Sequence, residues 1–135
     1  MAILENLGKY KNLGLLLIRV GLGILFIYHG VPKLAGGPEG WEKLGGAMKS
    51  VGIGFAPAFW GFMAAATETF GGLLLIIGLA FRPVCILLVI NLIVAALMHL
   101  GKGDGLQGAS HAIEDAIMFL GLIFIGPGIY SIDKK

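Results

Sequence analysis

The 135-residue chain is strongly apolar: 57% of its residues are hydrophobic, only 13% are charged, and its mean hydropathy is +0.90. Soluble domains carry about a quarter charged residues, so the composition excludes an ordinary soluble domain and predicts one integral membrane domain over residues 1–135. The net charge of +2 and the lack of a basic stripe exclude nucleic acid as a partner. The single cysteine, Cys85, excludes an intramolecular disulfide.

Four apolar stretches are long enough to cross the hydrocarbon core, which takes about 20 helical residues. They cover residues 13–34, 57–80, 83–100 and 109–125. Pro57 and Pro83 suit the first turns of their helices, and the Gly126-Pro127-Gly128 segment ends the last helix. The segment 81–83 is predicted to be a tight turn that makes the second and third spans antiparallel neighbours. The predicted fold is therefore an all-α, four-helix antiparallel membrane bundle.

The segment between the first two spans follows a different pattern. From Trp41 onward, apolar residues recur at Leu44, Ala47, Met48 and Val51, while the charged residues lie off that face. This spacing predicts a short interfacial helix that lies at the membrane surface, with Trp41 as its anchor. An irregular loop is the alternative.

The basic residues near the ends of the spans predict the orientation in the membrane. One side of the bundle carries Lys9, Lys11, Arg19, Arg82, Lys134 and Lys135, and the other carries Lys33, Lys43, Lys49 and Lys102. Because Lys and Arg are enriched in cytoplasmic segments, the excess of six over four predicts a multi-pass protein of the inner membrane with both termini in the cytoplasm.

Polar residues inside the first span share one face. At 100° per residue, Arg19, His29 and Lys33 fall within an arc of about 80°. Charged side chains within a membrane almost always face the bundle interior or a water-filled cavity. We therefore expect this face of the first helix to point inward.

The antiparallel topology brings further polar residues to the outer end of the bundle, where the first span ends with His29 and Lys33. His99 lies late in the third span, which also ends there. The fourth span starts there with His111, Glu114 and Asp115, whose spacing places them on one helix face. The sequence therefore predicts a polar pocket near the outer membrane face.

Glu68 is predicted to lie deeper in the bundle. It comes eleven residues into the second span, about 16 Å from its start, whereas Arg19 lies about 21 Å from Lys33 along the first helix. If the end of the first span lies level with the start of the second, these depths differ by about one helical turn and allow an Arg19–Glu68 pair. Such a pair either fixes the helix register or marks Glu68 as a functional carboxylate.

Three segments of the chain resemble the DoxX family of membrane proteins in order and spacing. They are RVGLGILFIYHGVPKL at 19–34, ATETFGGLLLIIGLAFRP at 66–83 and GPGIYSID at 126–133; the acidic start of the fourth span resembles the family as well. The resemblance implies a four-helix membrane fold and kinship with the membrane subunits of thiosulfate:quinone oxidoreductases. The positions that it carries over are Arg19, His29, Lys33, Glu68, His111 and Glu114; His99 and Asp115 come from topology alone.

The first functional hypothesis is a membrane subunit of a quinone-linked redox system, with quinone as its cofactor and a protein subunit as its partner. Its catalytic residues would be His29, Glu68 and Glu114, and its ligand-binding residues would be Arg19, Lys33, His111 and Asp115. Histidine suits proton transfer near neutral pH, and carboxylates can relay protons.

Two other hypotheses remain open. Nitrogen and oxygen donors from His29, His99 and His111, with Glu114 or Asp115, are compatible with a metal ion, so the chain could be a binding or transport module for a metal or a small lipophilic ligand. Alternatively, the chain is a non-catalytic anchor in a larger complex. Glycines are frequent within the apolar runs, and such small-residue faces pack helices closely and permit a homo-oligomer in the bilayer.

Overall fold

A computed structural model describes residues 2–135, which form helices joined by short connections. The α-helices are α1 (Lys11–Ala35), α2 (Gly37–Gly45), α3 (Pro57–Ile77), α4 (Phe81–Gly101) and α5 (Gly105–Ile125), and two short 3₁₀ helices cover Glu5–Tyr10 and Gly46–Val51. Four of these helices, α1, α3, α4 and α5, are long and apolar enough to cross a membrane. The predicted all-α bundle with four spans and a short helix between the first two is confirmed.

The predicted tight turn at 81–83 is wrong, because the chain reverses three residues earlier. Gly78 ends α3 with a φ of 70°, and the N–H groups of Gly78 and Leu79 both donate to the carbonyl of Leu74. This left-handed glycine with two bonds back into the last turn is a common way to end a helix. Helix α4 then begins at Phe81, and Pro83 is tolerated in its first turn, where a missing N–H costs nothing.

Helices α1 and α3 pack closely through glycine. A Cβ atom on Gly23 would lie 2.5 Å from the carbonyl oxygen of Gly72, and a Cβ atom on Gly30 would collide with the hydroxyl of Thr69. In lipid, such small residues let helix backbones approach and gain van der Waals contact. These contacts set the register of α1 against α3.

The remaining helices complete the bundle around a common core. Helix α2 packs across the start of α3, α3 packs on α4, and α4 packs on α5. Helices α1 and α5 meet through the rings of Phe26 and Phe119, whose centroids lie 5.4 Å apart in an edge-to-face arrangement. Leu75, Phe81 and Leu88 fill the space between the helices.

The two ends of the bundle differ in construction. We call one the tail end: it carries residues 2–10, the α3–α4 turn and the C-terminal segment 126–135. We call the other the α2 end: it carries the segment from α2 to residue 56 and the connection between α4 and α5. At the tail end, the N–H groups of Ile132 and Asp133 donate to the carbonyls of Ile77 and Gly78, so the C-terminal segment is bound to the α3–α4 turn.

Candidate functional site

An ion pair between Lys33 and Glu68 links α1 to α3 inside the bundle. The Lys33 ammonium lies 3.1 Å from each carboxylate oxygen of Glu68, and the amide nitrogen of Asn91 on α4 donates to one of these oxygens at 3.4 Å. The Glu68 side chain is 13% exposed, whereas the Lys33 side chain is 41% exposed. We call Lys33, Glu68 and Asn91 the Glu68 site; its residues come from α1, α3 and α4, and its ammonium is more exposed than its carboxylate.

The register of α1 against α3 explains why these residues meet. A Cβ atom on Gly30 would touch Thr69 and Glu68, so this turn of α1 faces the turn of α3 that carries the carboxylate. Side chains on a helix lean toward its N-terminus, and Lys33 therefore extends back over the turn that begins at Gly30. The ammonium reaches Glu68 from that position.

The predicted Arg19–Glu68 pair is wrong. Arg19 is only 1% exposed, and its guanidinium donates to the carbonyls of Leu75 and Ile76 at 3.1 and 3.0 Å and to the carbonyl of Tyr130. Leu75 lies seven residues beyond Glu68 on α3, which is about 10 Å along the helix axis.

The error in the predicted pair comes from the assumption that the end of α1 lies level with the start of α3. Backbone contacts of Gly45 with Pro57 and of Gly61 with Trp41 show that α2 lies across the first turns of α3. The end of α1 therefore lies level with the middle of α3, and Lys33 rather than Arg19 reaches Glu68.

The other predicted site residues lie along α1 and α5 toward the α2 end. His29 is one turn before Lys33 on the same face of α1, and it is exposed. On α5, His111 and Glu114 are exposed and Asp115 is half-buried. His29 lies in the part of α1 nearest the α2 end, and the three α5 residues lie between that end and the middle of α5.

His99 is paired with a carboxylate, whereas the metal hypothesis groups it with His29 and His111. Its Nδ1 atom lies 2.8 Å from a carboxylate oxygen of Asp104, and this pair spans the connection between α4 and α5. Within residues 2–135, no three His, Cys, Asp or Glu side chains are arranged to hold a metal ion. The structure thus does not assemble the set of His29, His99 and His111 around one point.

Asn91 and Asp133 received no role in the sequence interpretation, although both make defined contacts. Asn91 stands in the apolar run VCILLVINLIVAAL, where a carboxamide within a membrane is a signal of a specific partner. Asp133 accepts hydrogen bonds from the backbone N–H groups of Ala80 at 3.1 Å and Phe81 at 2.7 Å. It therefore caps the start of α4 from the far end of the chain.

Two clefts lie outside the Glu68 site. A cleft of about 550 Å³ at the α2 end is lined by Glu39, Glu42, Lys43, Gly46, Lys49, Gly54 and Pro57. A wholly apolar groove of about 300 Å³ runs between α4 and α5, with small residues such as Ala96, Ala112 and Ala116 in its lining. Asn91 does not line this groove, so the groove is separate from the Glu68 site.

Three proteins are similar to the chain over different shares of its length. "Putative oxidoreductase CatD" of Bacillus subtilis is 39% identical over 87 residues, which are 64% of this chain and 60% of that protein. An uncharacterized protein of Haemophilus influenzae is 28% identical over 138 residues, covering 98% of this chain and 97% of the relative. "Uncharacterized membrane protein Rv3486" of Mycobacterium tuberculosis is 30% identical over 133 residues, covering 87% and 78%.

No solved structure significantly matches the chain. The DoxX family model matches residues 14–100, a region that contains Arg19, His29 and the whole Glu68 site. His111, Glu114 and Asp115 follow the matched region. Because the match covers more than half of the sequence, and the structure has the expected four spans, the chain belongs to the DoxX family.

Proposed function

We propose that this chain is a membrane subunit of a quinone-linked redox system in the inner membrane, and that the Glu68 site receives the quinone head group. The observation that carries the proposal is an ion pair within the spans whose ammonium is 41% exposed while its carboxylate is 13% exposed. Charged groups are costly inside a membrane, and as a rule they mark functional sites.

The chemistry of the site suits a quinone. A quinone has two carbonyl oxygens that accept hydrogen bonds, and its reduction takes up two electrons and two protons. Lys33, Asn91 and His29 are hydrogen-bond donors for such oxygens, while Glu68 can hold or release a proton. In this proposal the electrons come from a partner subunit, and the chain supplies binding and proton transfer.

The residues on α5 extend the site toward the α2 end. His111 and Glu114 are exposed on α5, and Asp115 is half-buried beside them in the sequence. We propose that these groups exchange protons between the surface at this end and the region of His29 and Lys33. The Bacillus subtilis relative is named an oxidoreductase, and this supports a redox role for the region that the two proteins share.

The proposal is tested by quinone occupancy. The full chain is extracted from its own membrane in a mild detergent, and the quinone retained per protein is quantified by chromatography for the wild type, Glu68→Gln and Lys33→Gln. We expect the wild type to retain quinone and both variants to lose most of it, because each substitution removes one charge of the pair. Circular dichroism checks that the variants keep their helical content.

Matched controls exist on α2, outside the bundle interior. Glu42→Gln and Lys43→Gln make the same chemical changes at exposed positions, and both should retain quinone like the wild type. A wild-type protein without quinone, or equal occupancy in Glu68→Gln and Glu42→Gln, contradicts the proposal. A wild type that lacks quinone but carries a stoichiometric partner protein would instead favour a non-catalytic anchor.

A further inference from the structure

The charges of the chain are divided unequally between the two ends of the bundle. The tail half carries six cations, Lys9, Lys11, Arg19, Arg82, Lys134 and Lys135, against two carboxylates, Glu5 and Asp133. The α2 half carries four cations, Lys33, Lys43, Lys49 and Lys102, against four carboxylates, Glu39, Glu42, Asp104 and Glu114, while Glu68 and Asp115 lie at the middle of their helices. The formal charge is therefore +4 in the tail half and 0 in the α2 half, with two carboxylates between the halves. We propose that the tail end binds the headgroups of anionic phospholipids.

The fold gathers cations that are far apart in the sequence. Arg82, in the first turn of α4, donates to the carbonyl of Lys135 and holds the end of the chain against that helix. The side-chain oxygen of Asn12 accepts a hydrogen bond from the N–H of Ile129 at 3.2 Å, which ties the C-terminal segment to the start of α1. Three segments, residues 9–11, Arg82 and residues 134–135, thereby meet at one end of the bundle.

The carboxylates at this end are engaged by the backbone. Both oxygens of Asp133 accept hydrogen bonds from the start of α4, and Glu5 accepts one from the N–H of Ala2 at 3.4 Å. In the part of the chain that the structure describes, Lys9, Lys11 and Lys134 form no salt bridge with a carboxylate. Their ammonium groups are exposed, so an external anion can approach them.

Apolar and aromatic side chains stand beside these cations. The exposed ones are Ile3, Leu7, Tyr10, Ile129, Tyr130 and Ile132, and the Lys9 ammonium lies 5.1 Å from the ring centre of Tyr10. Such a mixture is typical of segments in the headgroup region, where the apolar groups enter the acyl chains and the cations meet phosphate. A soluble anion would leave these apolar groups in water, which favours a lipid as the ligand.

The lysines of the α2 end provide a matched comparison. Lys43 and Lys49 line a cleft together with Glu39 and Glu42, whose carboxylates repel an external anion, and Lys33 is paired with Glu68. We therefore expect anionic lipid to bind the tail end in preference to the α2 end, although both ends carry exposed lysines.

The experiment measures lipid retention and thermal stability of the full chain in micelles that contain equal amounts of phosphatidylglycerol and phosphatidylcholine. The tail variant is Lys9→Gln, Lys11→Gln and Lys134→Gln combined; the control is Lys43→Gln, Lys49→Gln and Lys102→Gln combined. Native mass spectrometry should show that the wild type and the control retain phosphatidylglycerol about tenfold over phosphatidylcholine, and that the tail variant loses most of this preference. Added salt should weaken the preference, because it screens exposed charges.

The proposal is overturned if the tail variant keeps the preference of the wild type, or if the control loses as much as the tail variant. Stabilisation by inorganic phosphate equal to that by phosphatidylglycerol would also overturn it, because the ligand would then be a simple anion. The melting temperature in phosphatidylcholine alone shows whether each variant folds. The ratio of retained phosphatidylglycerol to phosphatidylcholine is compared only among variants that melt like the wild type under that condition. None of the six substituted lysines belongs to the Glu68 site, so this result is independent of quinone occupancy.

Discussion

Arg19 shows how a membrane bundle can hold a buried cation without a carboxylate. Its guanidinium bonds to carbonyl oxygens at the C-terminal end of α3, where the helix dipole places partial negative charge. The same group bonds to Tyr130 in the C-terminal segment. Arg19 therefore joins α1, α3 and the tail, and its contacts support a structural role apart from the Glu68 site.

We predict that Arg19→Met lowers the free energy of unfolding by about 3–5 kcal/mol, because three carbonyls lose their donor. An unsatisfied buried polar group costs about 1–3 kcal/mol, and the two partly buried carbonyls lie near the lower limit of that range. The measurement is unfolding of the detergent-solubilised protein, followed by circular dichroism. Lys11→Met is the control, since Lys11 is exposed at the start of the same helix. Equal stability of Arg19→Met and the wild type would contradict the role of Arg19 as a link.

The sequence predicts the inward face of Arg19 correctly but assigns it the wrong partner. A charged residue deep in a span is expected to face inward because lipid penalises charge, and Arg19 does so, whereas His29 on the edge of the same arc is exposed. The choice between Glu68 and the end of α3 depends instead on how far α1 is displaced along α3. Periodicity within one helix carries no information about that displacement.

At the level of elements, the contact between α1 and α3 depends on glycines that lie in register. Gly23→Ala should disrupt it, because the added Cβ would lie 2.5 Å from a backbone oxygen of α3 that cannot move without the helix. Gly21→Ala is the matched control on the same helix, since its Cβ would point into open space. We expect a fall of several degrees in the melting temperature for Gly23→Ala and no fall for Gly21→Ala; a similar response of both would refute the predicted contact.

The start of α4 depends on Asp133. We predict that Asp133→Ala destabilises the protein by about 1 kcal/mol, as expected for the loss of a side chain that caps a helix. Glu5→Gln serves as the control, because Glu5 bonds only to the exposed N-terminal segment. Hydrogen exchange at Ala80 and Phe81 should accelerate in Asp133→Ala alone, and unchanged exchange at these amides would argue against the cap.

Element boundaries are predictable where a local signal ends the helix. Pro57 correctly predicts the start of α3, and Gly126 correctly predicts the end of α5. The α3–α4 turn is misplaced because Gly78 resembles the other glycines of the apolar runs. In the folded chain its φ is positive and the tail packs against it, so that a Cβ atom on Gly78 would collide with Ser131.

At the scale of the whole molecule, four spans place both termini on one side of the membrane. The excess of basic residues at the tail end predicts that this side is the cytoplasm. A green fluorescent protein fused to the C-terminus, which becomes fluorescent only in the cytoplasm, should therefore fluoresce. A second fusion at the α2–α3 connection should remain dark; fluorescence of the second fusion alone would reverse the orientation.

Composition and periodicity alone determined the class of the protein, the number of its spans and the inward position of Arg19. These properties follow from the free energy of transferring side chains and backbone into hydrocarbon. That free energy depends on each segment by itself. The tertiary structure alone decided the pairing of Lys33 with Glu68, the place of Arg19 and the role of Asp133. Those contacts require α2 to cross the start of α3 and glycines to set the α1–α3 register, and such relations between segments exist only after the helices have packed.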